Sequence, residues 1–178
     1  MSAVYRFRQG VRALVSWTQP VDDAQAAQYL TPPLLALYTQ MRRSERQHSL
    51  RVLHDLLAAG YTQPDLLTAA LLHDVGKTRT HFFLPEKVLV VLVKAFFPAL
   101  YQRWGRAADE NSRGLLHWRR PFAVSVQHPV WGADMVAAAG GSARAVDLIR
   151  RHADPLPDSP QTETDRLLVA LQLVDDQN

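Results

Sequence analysis

An all-α fold is what this sequence predicts, on three observations. Apolar residues recur at helical three- and four-residue spacing along almost the whole chain. Strand-like alternation is scarce. The breaks between apolar runs carry helix start and stop residues. The 178 residues are enough for one domain with a sizeable core and too few for two.

The elements follow in chain order. A first helix is expected over roughly 4–17, and Asp22 or Asp23 caps a short second one. "TPPLLALYTQMRR" starts a helix at Thr31, where proline suits the first turn. "SERQ", residues 44–47, has the form of a capping box and opens a helix that carries His48 and ends near Gly60. "TQPDLLTAALLHD" begins another around Pro64, with Gly76 as its stop. Residues 81–105 form a long apolar segment broken at Pro85 and Pro98, and 106–121 read as an ordered polar loop. Together 81–121 are an insert. A helix from Pro129 to about Ala139 ends at Gly140-Gly141. "SARAVDLIRRH" is the next, "ADPLPDSP" is a turn region, and "TETDRLLVALQLVDDQN" is the last helix. Repeats and low-complexity tracts are absent.

Composition narrows the chemistry. The chain has no cysteine, so disulfides, thiolate metal sites and cysteine nucleophiles are excluded, and a cytoplasmic setting is expected. Any metal must use His, Asp, Glu, backbone or water. The net charge is +3, and all but three of the 20 basic residues are Arg, which forks onto phosphate. These charges form no long basic block, so nucleic acid is not an expected partner. "MSAVYRFRQGVRALVSW" lacks the apolar run and cleavage site of a signal peptide. The greasiest stretch, 88–100, is too short to span a bilayer and is expected to be core rather than a membrane contact.

"ALLHDVGK", residues 70–77, ends an apolar helix on a His-Asp pair. A helix end lying beside an ion would let both side chains reach it. Four more candidates are scattered along the chain: His48, His128 in "QHPVWGADM", His152 in "IRRHADP" and Asp175 in "LLVALQLVDDQN". Each has an ordinary reading as a surface, loop or helix-end residue. Five such coincidences in one order have none.

That order, His48 … His73-Asp74 … His128 … His152 … Asp175, resembles the HD-domain superfamily of metal-dependent phosphohydrolases. The resemblance spans roughly 44–176 and includes Lys77, three residues after the Asp. Residues 1–43 are an N-terminal helical extension beyond it, and 1–178 are read as one domain. The resemblance implies a helical bundle with His48, His73, Asp74 and Asp175 as metal ligands, and it implies that His128 and His152 mark a dinuclear branch. His48, His73 and Asp175 would hold one ion, His128 and His152 a second, and Asp74 would bridge them. The donors suit one or two divalent ions among Fe, Mn, Zn, Ni, Co and Mg. The implied activity is cleavage of a phosphoester or phosphoanhydride of a nucleotide or related small molecule by a metal-activated hydroxide. Asp74 and Lys77 are the catalytic candidates. Lys77, Arg79 and Arg151 are the candidate contacts to a phosphorylated substrate. Arg150 and Arg151 flank His152, one facing the site and one solvent. The "LVD" sequence favours Asp175 over Asp176 as the last ligand, and His54, His81 and His117 are left out of the set. The Gly-Tyr-Pro signature of the cyclic-dinucleotide branch is missing, since "RRHADPLPDSP" stands in its place. Two alternatives share the ligand pattern: an HD-type di-iron oxygenase, and a metal-binding nucleotide sensor without turnover. A homo-oligomer is possible on this sequence.

Overall fold

The computed structural model describes residues 21–79, 84–106, 117–156 and 159–178. Within them the chain is helical, with no strand. The order is α1 (Asp23–Ala26), α2 (Pro32–Gln40), α3 (Arg43–Ala58), α4 (Pro64–Leu72), a 3-10 turn (Val75–Arg79), α5 (Leu84–Phe96), α6 (Pro98–Arg106), a second 3-10 turn (His117–Arg119), α7 (Arg120–Ala138), α8 (Ala143–Arg151) and α9 (Glu163–Asp175). The helix expected over 4–17 lies outside the described residues.

The central element is α4. Its residues Leu66 to Leu72 are all buried, and a helix apolar on every side must be surrounded. α2, α3, α8 and α9 pack around it. The extension contributes to the same core: Leu34 and Tyr38 of α2 are buried there, and the Tyr38 hydroxyl donates to the Arg46 carbonyl at 3.3 Å. A second layer, α5 and α6, packs on α7 through Val90, Val93, Tyr101 and Phe122, with Trp104 and Val126 at its margin.

Three helix starts carry side-chain caps where the residue types place them. Asp22 accepts from the Gln25 N–H, Ser142 from Ala145, and Thr162 from Asp165. The Asp165 carboxylate accepts in return from the Thr162 N–H at 3.0 Å, which closes a capping box. Gly60 and Gly140 take positive φ of 87° and 82° just past α3 and α7, the left-handed stop that a Cβ disfavours.

Four expectations need correction. α3 begins at Arg43, and Glu45 accepts from the Arg42 N–H at 3.0 Å, so the capping acid is Glu45 and the "SERQ" box does not form. α7 begins at Arg120, nine residues before Pro129, which sits inside it. The expected polar loop is therefore helical at Arg120 and Pro121, and 107–116 lie outside the described residues. Gly76 does not stop α4, which ends at Leu72. Its role is close approach: a Cβ there would lie 2.1 Å from the His128 carbonyl oxygen and 2.7 Å from the Gly132 nitrogen. Lastly, the apolar segment is core only in part. Val90 and Val93 are buried, while Val88, Leu89, Val91, Leu92, Phe96 and Phe97 are exposed.

Candidate metal centre

The six residues picked out by order in the chain converge in space. They form two triads, His48–His73–Asp175 and Asp74–His128–His152, each with its ligand atoms within 4.8 Å of one another. His48 comes from α3, His128 from α7 and Asp175 from the end of α9. His73 and Asp74 lie where α4 gives way to the 3-10 turn, and His152 caps α8. Because the chain leaves α4 at Leu72, the adjacent His73 and Asp74 serve different triads. Asp74 spans the two: Oδ1 is 3.5 Å from His128 Nε2, and Oδ2 is 3.7 Å from His73 Nε2.

The helix ends set the imidazole tautomers. His73 Nδ1 lies 3.0 Å from the Ala70 carbonyl, His128 Nδ1 3.0 Å from Val124 and His152 Nδ1 2.7 Å from Ile149. Those oxygens only accept, so each Nδ1 carries a proton and each ring turns its Nε2 inward. Pro129 supports this at His128. Having no N–H, it leaves the Ser125 carbonyl without its helical donor, and that oxygen lies 3.2 Å from His128 Nδ1.

Within the protein the inward nitrogens find only one another and the carboxylates of Asp74 and Asp175. His128 Nε2 and His152 Nε2 face each other at 3.2 Å, lone pair to lone pair. Buried His73 Nε2 lacks a hydrogen-bond partner and stands 3.4 Å from Asp175 Oδ1. His48 Nε2 is 2.7 Å from the same oxygen. Buried lone pairs opposed in this way are costly unless a cation lies between them. The donor set fits divalent ions with nitrogen and oxygen preference.

The electrostatics agree. Burial opposes a charge on His73, but the Asp74 and Asp175 carboxylates outweigh it and raise its pKa to about 9. Burial, together with the neighbouring His73 and His128, pushes His152 down to about 3. Burial works against ionised Asp74 and Asp175, yet Lys77 and His73 hold Asp74, and His73 and His48 hold Asp175, well below the usual carboxylate range. One pocket thus forces a proton onto one imidazole and strips it from another, in the absence of an ion.

A cleft of about 1440 Å³ opens over the triads. Lys77 lines it, with Nζ 2.6 Å from Asp74 Oδ2. Burial disfavours its charge, but Asp74 overrides this and the Lys77 pKa is raised. Two other candidate substrate contacts lie elsewhere. Arg151 is held by Asp147 of its own helix at 3.0 Å and by Asp165 at 2.7 Å, the second of which ties α8 to α9, and Arg150 is the member of the pair that lines the cleft. Arg79 is exposed, with its guanidinium 5.6 Å from the centre of the Trp131 ring. His54 is a surface residue 2.7 Å from Gln25 Oε1. His81 and the side chain of His117 are outside the described residues.

Gln172 escaped the sequence reading. Its Nε2 lies 3.2, 3.1 and 2.8 Å from the carbonyls of Arg151, His152 and Asp154, so it holds the turn that carries His152. The available signal was its position three residues before Asp175, on the same face of α9.

The model of the family described as HD domain matches residues 46–176. The chain belongs to the HD domain family. Neither the curated proteins nor the solved structures include one that matches it. The match begins inside α3 and runs through α9, so it takes in all six residues of the two triads and also the α5–α6 segment. HD domains are a superfamily of metal-dependent hydrolases that bind divalent metals, and this one brings together two His/Asp groups able to do so.

Proposed function

We propose that this HD domain protein is a phosphohydrolase that cleaves a phosphoester or phosphoanhydride bond of a nucleotide or related small molecule. The observation that carries the reading is the pair of facing triads joined by Asp74, with Lys77 beside them at the floor of an open cleft. His48, His73 and Asp175 would hold one ion, and His128, His152 and Asp74 a second. Divalent ions there supply Lewis acidity toward water and toward phosphoryl oxygens.

The chain's own residues do the rest. The backbone carbonyls that accept from three imidazoles fix the ligand orientations before any ion arrives. Lys77 is a preorganised cation at the cleft floor, and phosphoryl transfer spreads negative charge over oxygens that such a cation can meet. Arg150, Tyr101 and Ser125 line the same cleft and suit the polar part of a substrate. The fixed cation beside the triads supports phosphoryl chemistry.

The test is hydrolysis by the purified, metal-replete protein across nucleotides, dinucleoside polyphosphates and a generic phosphodiester. Turnover of at least one is expected. Asp74→Asn should lower kcat/KM about a hundredfold or more, since the loss of groups merely supporting metal ligands already costs 10–100-fold. No turnover across the panel, with both triads loaded, would overturn the reading.

A further inference from the structure

The insert is anchored the wrong way round for a core element. At 100° per residue, Val91, Ala95, Val88, Leu92, Phe96 and Leu89 sweep roughly 160° of α5. All six are exposed. The narrow opposite side, Val90 and Val93, is what packs against Tyr101 and Phe122. A helix serving only the fold would bury its broad apolar face. Ten large apolar side chains are exposed among the described residues, and six of them fall between 88 and 97. Single exposed apolar residues are ordinary, but a contiguous patch marks an interaction surface.

The charges say what kind of surface it meets. Segment 84–106 carries four basic residues, Lys87, Lys94, Arg103 and Arg106, against the single acid Glu86. Lys94, which follows the arc's edge on α5, is exposed, and so are Arg103 and Arg106 of α6. Trp118, 46% exposed, packs edge-on against Trp104 of α6 at 4.8 Å, which adds an aromatic of the kind that favours membrane interfaces. A symmetric pairing of two copies would set these basic rims against each other. Anionic headgroups complement them. α5 is 13 residues, about 20 Å, short of the ~30 Å hydrocarbon core, and no helix among the described residues is long and apolar enough to cross a membrane.

We propose that the α5–α6 hairpin is a docking element that lies in the interface of an anionic lipid bilayer, with Val88, Leu92 and Phe96 in the acyl boundary and Lys94, Arg103 and Arg106 at the headgroups. Val91, Lys94 and Arg106 also line the cleft, so docking sets the cleft wall against the lipid surface.

The experiment is flotation of the full-length protein with vesicles of phosphatidylcholine alone and of phosphatidylcholine mixed with phosphatidylglycerol. The protein should float with the anionic vesicles, weakly or not at all with the neutral ones, and less as salt rises. Leu92→Glu/Phe96→Glu should cut binding at least tenfold at an unchanged melting temperature, because both side chains are already exposed. Phe96→Ser/Phe97→Ser is a second, milder variant with the same expected direction. Arg103→Glu, outside the cleft, should weaken binding to the anionic vesicles. Protein that stays soluble with both vesicle types overturns the proposal, as does equal flotation of the apolar variants. A wild-type dimer by light scattering that Leu92→Glu/Phe96→Glu splits into monomers would assign the face to a second copy instead.

Discussion

His73 shows how much one side chain is asked to reconcile. It is buried, its Nδ1 is committed to the Ala70 carbonyl, and its Nε2 looks at two carboxylates. Without an ion, those carboxylates hold a second proton on the ring up to about pH 9. An ion must displace that proton. Metal affinity of the stripped protein should therefore climb with pH up to about 9, by about tenfold per unit for one proton released, and level off above it. Calorimetric titration in two buffers of different ionisation enthalpy measures the proton count directly, and a count of zero at pH 7.5 would contradict this account. The same group adds stability to the metal-free fold that is complete below about pH 6.5 and lost as pH rises through 9. At this scale the sequence was most legible. The identities and order of His48, His73, Asp74, His128, His152 and Asp175 pointed to one another because few residue types bind metal and the chain has no cysteine to compete. Arg151 was less legible, since a guanidinium serves an ion pair with Asp165 as readily as a phosphate, and only position separates the two.

Among the elements, the contact between the 3-10 turn and α7 decides the geometry of the second triad. Gly76 and Gly132 let the two backbones meet, and this brings Asp74 beside His128. Gly76→Ala would place a methyl group 2.1 Å from the His128 carbonyl oxygen, against backbone that has no rotamer to move. The expected loss is about 3 kcal/mol. For a chain of this size it appears as a fall in melting temperature of roughly 10 °C, together with weaker metal uptake at the Asp74 triad. An unchanged melting temperature would show that α7 shifts freely away from the turn. Sequence reasoning assigned Gly76 to a helix stop because glycine signals a break, and close approach leaves no separate mark in a single chain. The start of α7 was hidden for a related reason. Pro121 read as the end of a loop and Pro129 as a helix beginning, yet Pro121 stands in the first turn of α7, while Pro129 lies inside it and is tolerated because His128 occupies the carbonyl it orphans.

For the whole molecule, the site ties the bundle together. Its candidate ligands come from α3, α7 and α9 and from the ends of α4 and α8, so bound ions would cross-link five helices that are otherwise joined by apolar packing and a few polar ties such as Arg151–Asp165. Ions that bind the folded chain alone should stabilise it by about 2.7 kcal/mol at a hundred times their dissociation constant. Chelation should lower the melting temperature by several degrees, reversibly on adding metal back, and a scan indifferent to chelator would separate the triads from metal binding. Fold class and the order of the helices from α2 to α9 were legible in the sequence alone, because helical periodicity is a local property written residue by residue, and the six candidate ligands were picked out by the chain order that resembles the HD-domain pattern. Which carboxylate oxygen meets which imidazole, which arginine enters the cleft and which face of α5 turns outward were decided only by the tertiary structure. Those are relations between distant segments, and they depend on which surfaces packing leaves free.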